Sequence, residues 1–234
     1  MKDLVKSLSK EEKEVLISYL CEFITDKRKQ RFDEVMANRM NHLQIIVEDV
    51  YQGHNASAVI RSCDCFGVQH VHFIENKNSL KVNDEIALGA EGWVTIHKHG
   101  GQENNTTSCI KSLKEQGFRI VATTPHTNAC TIDKLPVDKK LALVFGTEKD
   151  GISDEVKEQA DEFVKIPMYG FTESFNISVS AALCMYELST RIRKEVNDFG
   201  LSETEKTDIY LDWLQNSISG VDIIIKKYLE DKKG

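Results

Sequence analysis

Several common signals are missing from this sequence, and each absence excludes a class of protein. No apolar run approaches the roughly 20 residues that are needed to cross a bilayer, which argues against a membrane protein. The first residues, MKDLVKSLSKEEKEVL, form a charged helical pattern without the apolar core of a signal peptide. We therefore expect a cytoplasmic protein without a membrane partner.

Cysteine pairs with metal-ligand spacing are also missing. The chain has 6 cysteines, and none of them forms a Cys-x-x-Cys arrangement. Histidines alternate at His70 and His72 and again at His97 and His99, without a third ligand at suitable spacing. These patterns favour free thiols and structural histidines over disulfides or zinc, and we expect no metal cofactor.

The usual nucleotide-binding fingerprints are absent as well. No G-x-G-x-x-G follows a predicted strand, which removes the common Rossmann signal for nicotinamide enzymes and methyltransferases. The segment GTEKDGIS has the glycine spacing of a phosphate loop, but Ile152 stands where that loop needs its lysine. A nucleoside triphosphatase is therefore excluded.

The pattern that is present predicts a single α/β core. The chain has 234 residues, 41% of them hydrophobic, which is enough for a sizeable core. Short apolar runs typical of strands alternate with helical patterns, and this alternation predicts a mostly parallel sheet with helices on both faces. The strands are expected to start near Leu43, His70, Val94, Phe118, Leu141 and Phe163.

Helical segments flank this core on both sides. Ser9 and Glu12 have the spacing of a capping box at the start of a helix, and the tail breaks at Phe199 and Gly200 before further amphipathic helices. We expect an N-terminal helical extension over residues 1–40, a core over 41–196 and a C-terminal helical extension over 197–234.

One of these flanking segments is basic although the whole chain is acidic. The net charge of −7 argues against a protein that coats nucleic acid indiscriminately. Residues 27–39, KRKQRFDEVMANR, combine basic residues with an apolar helical stripe, which fits either a solvated amphipathic helix or a surface that contacts RNA. The candidate RNA-binding residues are Lys27, Arg28, Lys29, Arg31 and Arg39.

Three polar segments each follow a predicted strand and lead into a predicted helix. HNASAVIRSCDCFGV begins at His54, FGTEKDGIS at Phe145 and IPMYGFTESFNISVSAAL at Ile166. In the third segment, Ser174 and Asn176 stand where the helix would be capped. Because ligands bind at the carboxyl edge of an open parallel sheet, these segments are expected to build one site.

In their order and spacing, the three segments resemble the signature motifs of the SPOUT superfamily of knotted RNA methyltransferases. They are most similar to the TrmH type, which are tRNA guanosine 2′-O-methyltransferases. The resemblance covers roughly residues 27–195. It implies a C-terminal deep trefoil knot, S-adenosylmethionine as methyl donor, a homodimer, and tRNA as the substrate, with the D-loop guanosine at position 18 as the target.

Two alternatives to that function stay open at this point. One is 2′-O-methylation of ribosomal RNA, and the other is a non-catalytic RNA-binding or tRNA-folding protein. Only about 40 residues precede the first core strand, which is too few for a typical separate RNA-binding domain, and this favours tRNA over ribosomal RNA.

The resemblance also gives expected roles to matching residues. Arg61 takes the position of the family's catalytic arginine, and because a guanidinium is effectively never deprotonated, we expect it to orient a phosphate and stabilise the developing alkoxide. Asn55 is expected to cap its helix or bind the target nucleotide, and Glu148 to hold Arg61 or the nucleoside. Ser174 and Asn176 are expected to fix the reacting centre. The implied cofactor-binding residues are Thr123, Gly146, Ile166, Met168, Ser174 and Phe175.

Overall fold

The computed structural model describes residues 2–125 and 129–231. Internal contacts divide the chain into two compact units. The core unit is Met40–Gly200, and the helical unit combines the residues up to Arg39 with those from Leu201 onward.

The secondary structure alternates between strands and helices through the core unit. The strands are β1 (Leu43–Glu48), β2 (His70–Ile74), β3 (Thr95–His99), β4 (Arg119–Thr123), β5 (Cys130–Thr131), β6 (Leu141–Phe145) and β7 (Glu162–Lys165). Among the described residues, the α-helices are α1 (Lys2–Lys6), α2 (Lys10–Leu20), α3 (Asp26–Met36), α4 (Gly53–Phe66), α5 (Asp84–Ala87), α6 (Asn105–Glu115), α7 (Asp154–Gln159), α8 (Ile177–Glu195), α9 (Glu203–Ser217) and α10 (Val221–Asp231). No helix in these ranges is long and apolar enough to span a membrane.

The strands form one 7-stranded sheet in the order β3-β2-β1-β6-β4-β7-β5. All of its strand pairings are parallel. Every residue of β1 and of β6 is buried, as expected for central strands that are covered on both faces. The predicted α/β class with a mostly parallel sheet is confirmed.

Each face of the sheet has its own hydrophobic core. Successive strand residues point to opposite faces, so Ile45 and Val47 pack with α4 and α8 while Ile46 packs with α6 and α7. The predicted helices on both faces are therefore present, and α4 also contacts α8 directly.

Several helix boundaries follow the local signals in the sequence. The Ser9 and Glu12 pair forms a capping box, in which the Glu12 N–H donates to Ser9 Oγ at 3.2 Å and the Ser9 N–H donates to Glu12 Oε2 at 2.8 Å. Gly67 ends α4 in the left-handed conformation, with a φ of 75°. The break near Phe199 and Gly200 separates α8 from α9 as predicted.

The helical unit brings the two ends of the chain together around an aromatic cluster. Phe32 on α3 contacts Tyr210 and Trp213 on α9, with ring centroids 5.5 and 5.4 Å apart. Lys13 on α2 pairs with Asp208 at 2.8 Å. The two terminal segments thus belong to one compact unit. The predicted domain boundaries after residues 40 and 196 remain a prediction.

The basic residues of segment 27–39, which covers most of α3 and the turn after it, differ in their surroundings. Lys27, Arg28 and Arg31 are exposed and Lys29 is partly exposed. The structure contradicts the expectation that Arg39 faces RNA, because this residue is only 1% exposed and its guanidinium lies 5.4 Å from the centroid of the Trp213 ring. Its charge serves a cation–π contact inside the helical unit.

Candidate active site

The three polar segments start at the carboxyl ends of β1, β6 and β7. Strand β1 pairs with β6, β6 with β4, and β4 with β7, so the three ends lie along one edge of the sheet. The predicted convergence of the segments at the carboxyl edge is confirmed.

Hydrogen bonds join one predicted residue from each segment. Asn55 Nδ2 donates to Glu148 Oε1 at 2.8 Å, and Asn176 Nδ2 donates to Asn55 Oδ1 at 3.1 Å. The backbone N–H of Tyr51 donates to the second Glu148 oxygen at 3.3 Å. Asn55, Glu148 and Asn176, called here the three-motif network, therefore hold the ends of three strands in a fixed arrangement.

The two asparagines of this network occupy different positions at the starts of their helices. Helix α4 has Gln52 as its N-cap and begins at Gly53, so Asn55 lies within the first turn and the expectation that it caps the helix is wrong. Asn176 is the N-cap of α8, and its Oδ1 accepts from the N–H of Ser178 at 2.8 Å and from the Ser178 hydroxyl at 2.6 Å. Because Asn55 is released from capping, both ends of its amide are available to the network.

Glu148 is ionised at neutral pH. Partial burial by itself would raise the pKa of this carboxyl group, but hydrogen bonds from Asn55 and from the backbone N–H groups of Glu148, Tyr51 and Gln52 outweigh that effect. The pKa of Glu148 therefore lies below its usual value. A carboxylate only accepts hydrogen bonds, so it fixes which end of the Asn55 amide faces it.

A cavity of about 480 Å³ opens at this edge of the sheet. This volume lies within the range of about 300–1,000 Å³ that is typical of small-molecule sites. All of the residues predicted to bind the cofactor line it, namely Thr123, Gly146, Ile166, Met168, Ser174 and Phe175. Glu148 also lies in the wall, which joins the three-motif network to the cavity.

The loop of residues 146–152, called here the glycine loop, forms one wall of the cavity and is tightly closed. The N–H of Thr147 donates to the Gly151 carbonyl at 2.8 Å, and the N–H of Gly151 donates back to Thr147 at 3.1 Å. A Cβ atom on Gly146 would collide with the backbone of Gly151 and Ile152. Gly151 has a φ of 70°, which other residues rarely adopt. Both glycines are therefore required by the turn.

The loop of residues 167–175, called here the aromatic loop, forms another wall and is open. Tyr169 and Phe171 are 97% and 109% exposed, and Phe175 is 43% exposed. Among the described residues, none in this loop takes part in a hydrogen bond, and that includes Ser174. The aromatic loop thus presents apolar rings and a hydroxyl group to whatever binds there.

Arg61 lies apart from the other predicted catalytic residues. Its side chain is exposed on α4, it does not line the cavity, and within the described chain it has no hydrogen bond or ion pair. Arg61 is six positions after Asn55, a rotation of about 600° at 3.6 residues per turn, so the two side chains point in directions roughly 120° apart around the helix. The expected contact between Glu148 and Arg61 is absent from the described residues, and Glu148 holds Asn55 instead.

Sequence reasoning missed some residues of the cavity wall. Ser180 and Cys184 on α8 both line the cavity, as does Lys157 on α7. The first two are four residues apart and so share a helix face, a spacing that could have been read once Asn176 was placed at the N-cap. Lys157 has no comparable signal, because it reaches the cavity through the packing of α7.

Comparison with known proteins agrees with this arrangement. The model of the SpoU rRNA Methylase family matches residues 42–186. A protein of Borreliella burgdorferi named tRNA (guanosine(18)-2'-O)-methyltransferase is 40% identical over 89% of this chain and 94% of its own length.

Solved structures give the same result for the fold. The crystal structure of the A. aeolicus TrmH/SpoU tRNA modifying enzyme has a TM-score of 0.74 and 31% identity, covering 83% of this chain and 98% of that one. The SpoU methyltransferase AviRb of Streptomyces viridochromogenes, solved in complex with AdoMet, shares the fold with a TM-score of 0.59 and 18% identity, over 69% of this chain and 64% of that one. With the three motifs gathered at one sheet edge and a family match over more than half of its length, this chain belongs to the SpoU rRNA Methylase family.

Proposed function

We propose that this protein transfers a methyl group from S-adenosylmethionine to the 2′-hydroxyl of a tRNA guanosine, the one at position 18 of the D-loop. The observation that carries the proposal is the 40% identity, over 89% of the chain, to a relative named for that reaction. The cavity and the three-motif network support it by providing a ligand site where the family motifs meet.

The cavity fits the proposed cofactor. Its walls include apolar side chains of Phe145, Ile166 and Met168, which suit a purine ring, and backbone of the glycine loop, which offers N–H and carbonyl groups. Gly146 leaves its position free of a side chain, so the main chain itself borders the cavity. S-adenosylmethionine, when bound, supplies an electrophilic methyl group on a sulfonium.

The three-motif network positions the groups around the target ribose. Asn55 and Asn176 are locked by Glu148 and by the α8 cap, so few rotamers are left to be frozen when substrate binds. Ser174, exposed beside the cavity, is assigned to a hydrogen bond with the substrate. These residues act by orientation, which a poor nucleophile such as a 2′-hydroxyl requires.

Arg61 is assigned to the RNA rather than to the cofactor. Its guanidinium keeps its charge and presents a planar fork of donors, so it orients a phosphate and stabilises the developing alkoxide without taking the proton. In the proposal, exposed Lys27, Arg28 and Arg31, with Lys29, give α3 a phosphate-binding surface. A cytoplasmic location is part of the same proposal, in keeping with a tRNA substrate.

A homodimer and a C-terminal knot are part of the same proposal. Helix α8 carries an exposed apolar stripe at Val179, Leu183 and Tyr186, which are 44%, 41% and 61% exposed, and this stripe is available to a second copy. Since α4 packs on α8, an interface there would bring Arg61 of one subunit towards its partner. The knot is implied by the family resemblance and places the cavity loops in the threaded segment.

The proposal is tested by methyl transfer from labelled S-adenosylmethionine to unmodified tRNA and to ribosomal RNA. We expect label only in tRNA, as 2′-O-methylguanosine in the D-loop, and none in a transcript with 2′-deoxyguanosine at that position. The family is named for ribosomal RNA methylation, so ribosomal RNA is the alternative substrate. Label in ribosomal RNA alone would show that tRNA is not the substrate, while the 2′-O-methylation chemistry would stand. Cofactor binding without label in either RNA would overturn the enzyme assignment.

Arg61→Ala is expected to abolish transfer and leave cofactor affinity nearly unchanged, since Arg61 does not line the cavity. Cys65→Ser, also exposed on α4 one turn later, is the matched control and is expected to retain activity. In a dimer whose sites are shared, mixing Arg61→Ala subunits with Gly146→Ala subunits restores part of the activity. Wild-type turnover by Arg61→Ala would remove its assigned role.

A further inference from the structure

The parallel pairing of β2 and β3 gathers 4 histidines into a stripe on one face of the sheet edge. His70 Nδ1 lies 3.0 Å from His97 Nε2, and His72 Nδ1 lies 2.9 Å from His99 Nε2. The His72 and His97 rings stack with centroids 4.4 Å apart. These residues belong to neither the cavity nor the three-motif network, so the proposed reaction does not account for them.

One of the two histidine pairs, His72 and His99, lies close to a cysteine. Helix α6 packs over β2 and β3 and carries the buried Cys109. Ligand atoms of His72, His99 and Cys109 all lie within 4.8 Å of one another. We propose that these three residues form a binding site for a divalent transition metal of the zinc class, with the fourth coordination position left to water.

The donor set suits such an ion, and the two nitrogens lie close to the separation that it needs. Two imidazole nitrogens and a thiolate are ligands that zinc prefers, and two nitrogens bound tetrahedrally at about 2.0–2.1 Å lie about 3.3 Å apart. The observed separation of 2.9 Å between the His72 and His99 nitrogens therefore has to widen only by a few tenths of an ångström. His99 is only half buried, which gives an ion a path from solvent.

A second layer of hydrogen bonds already orients His72 as a ligand. Gln44 Nε2 donates to Asn41 Oδ1 at 2.6 Å, which turns the Gln44 carbonyl oxygen towards His72. His72 Nε2 lies 2.7 Å from that oxygen and must carry the ring proton, so Nδ1, which lies 2.9 Å from His99 Nε2, is left with its lone pair. Metal-binding histidines characteristically donate their other N–H in this way.

Metal binding at this site is coupled to the loss of a proton. Burial, with the neighbouring histidines, lowers the pKa of His72 well below its usual value. Burial, with a contribution from Glu48, raises the pKa of the Cys109 thiol to about 12. Binding therefore displaces one proton from the Cys109 sulfur to solvent, while the proton on His99 Nε2 moves to Nδ1 by exchange with water.

Glu48 does not complete the site, although it is near Cys109. One of its oxygens accepts from the hydroxyls of Thr106 and Ser153 at 2.7 and 2.8 Å, and the other accepts from the Ser153 N–H at 3.1 Å. The other histidine pair, His70 and His97, has no third ligand among the described residues. That pair supplies an internal control with the same ring contact and without a thiol.

The test is equilibrium binding of Zn²⁺ and Co²⁺ to the full chain, purified without a histidine tag and treated with chelator. We expect one Zn²⁺ per chain with release of about one proton. We also expect a thiolate-to-cobalt absorption band and a melting temperature that rises with zinc. Cys109→Ala is expected to lose the band and at least about tenfold in zinc affinity, and Gln44→Leu to lose about 10–100-fold.

Two matched controls separate ligation from general destabilisation. His70→Asn alters the same stripe outside the site, and Cys63→Ala removes an equally buried thiol from the opposite core. Both are expected to bind Zn²⁺ and Co²⁺ as the wild type does. If the wild type binds no stoichiometric zinc, or if Cys109→Ala folds and binds both ions equally well, the proposal is overturned. Should Cys109→Ala not fold, His99→Ala at the half-exposed position carries the same test.

Discussion

The two loops that border the cavity are built in opposite ways. The glycine loop closes on itself through two backbone hydrogen bonds and has no room for a Cβ at Gly146. The aromatic loop has no hydrogen bond among its described residues and exposes Tyr169 and Phe171 almost fully. One wall of the site is therefore fixed by its own backbone hydrogen bonds, whereas the other has none among its described residues and leaves two aromatic rings exposed.

Gly146→Ala is expected to break the preformed wall and to have the largest effect. The added methyl group meets backbone that cannot move aside, and overpacking of this kind costs about 1–3 kcal/mol. Cofactor affinity should fall by at least about tenfold, or about 1.4 kcal/mol, by calorimetry. Gly170→Ala in the aromatic loop is the matched control, because nothing lies within 4 Å of its added Cβ. Equal effects of the two changes would contradict the contrast between the loops.

Asn176→Ala removes the point where the aromatic loop is anchored. It deletes both the cap of α8 and the bond to Asn55, so we expect a loss of about 1 kcal/mol in unfolding free energy. Asn176→Asp keeps the cap acceptor and loses only the donor to Asn55, so it should retain most of the stability and still lose activity. Chemical denaturation and turnover measure the two quantities, and full activity of Asn176→Asp would argue against a role for the network.

Glu148→Gln is expected to have a smaller effect that depends on pH. The pKa of Glu148 is lower in the folded state than in the unfolded state. Its contribution to the free energy of unfolding is therefore fully present when the pH is above the unfolded-state pKa, and it is lost as the pH falls through the folded-state pKa. The difference in melting temperature between wild type and Glu148→Gln should therefore be visible at neutral pH and vanish in acid. A difference that grows as the pH falls would contradict an ionised Glu148.

Phe171→Ser should have the smallest effect on the single chain. The side chain is fully exposed, so the change should lie within the roughly 0.5 kcal/mol that is typical of surface substitutions. Its effect is expected on self-association, seen by sedimentation velocity as a shift towards monomer. Ile223→Ser on α10, 76% exposed in the helical unit, is the control. If Phe171→Ser sediments as the wild type does, the aromatic loop has no role in self-association, and a role in substrate binding is the one that remains.

Local signals in the sequence were sufficient for most of the fold. Alternating strands and helices, the capping box at Ser9 and the left-handed stop at Gly67 each act within a few residues, and the structure has all of them. Strand β5 was missed because it has only two residues, Cys130 and Thr131, and no alternation can be read from so short a segment.

Residues whose surroundings come from distant parts of the chain were predicted less well. Arg39 looked like a member of a basic surface, yet it stacks on Trp213, which lies far away in the sequence. Cys109 could not be recognised as a neighbour of His72 and His99, because the pairing of β2 with β3 and the docking of α6 bring them together. The motif residues were found through family resemblance, whereas the bonds among Asn55, Glu148 and Asn176 required the structure.

The hydrogen bond between Asn55 and Asn176 also determines when the site can be completed during protein synthesis. The two residues are separated by 121 positions in the chain. At about 5–20 residues per second, a ribosome needs roughly 6–24 s to pass from one to the other. During that interval the emerging chain carries an incomplete site, so a nascent protein arrested before α8 should neither retain the cofactor nor modify RNA.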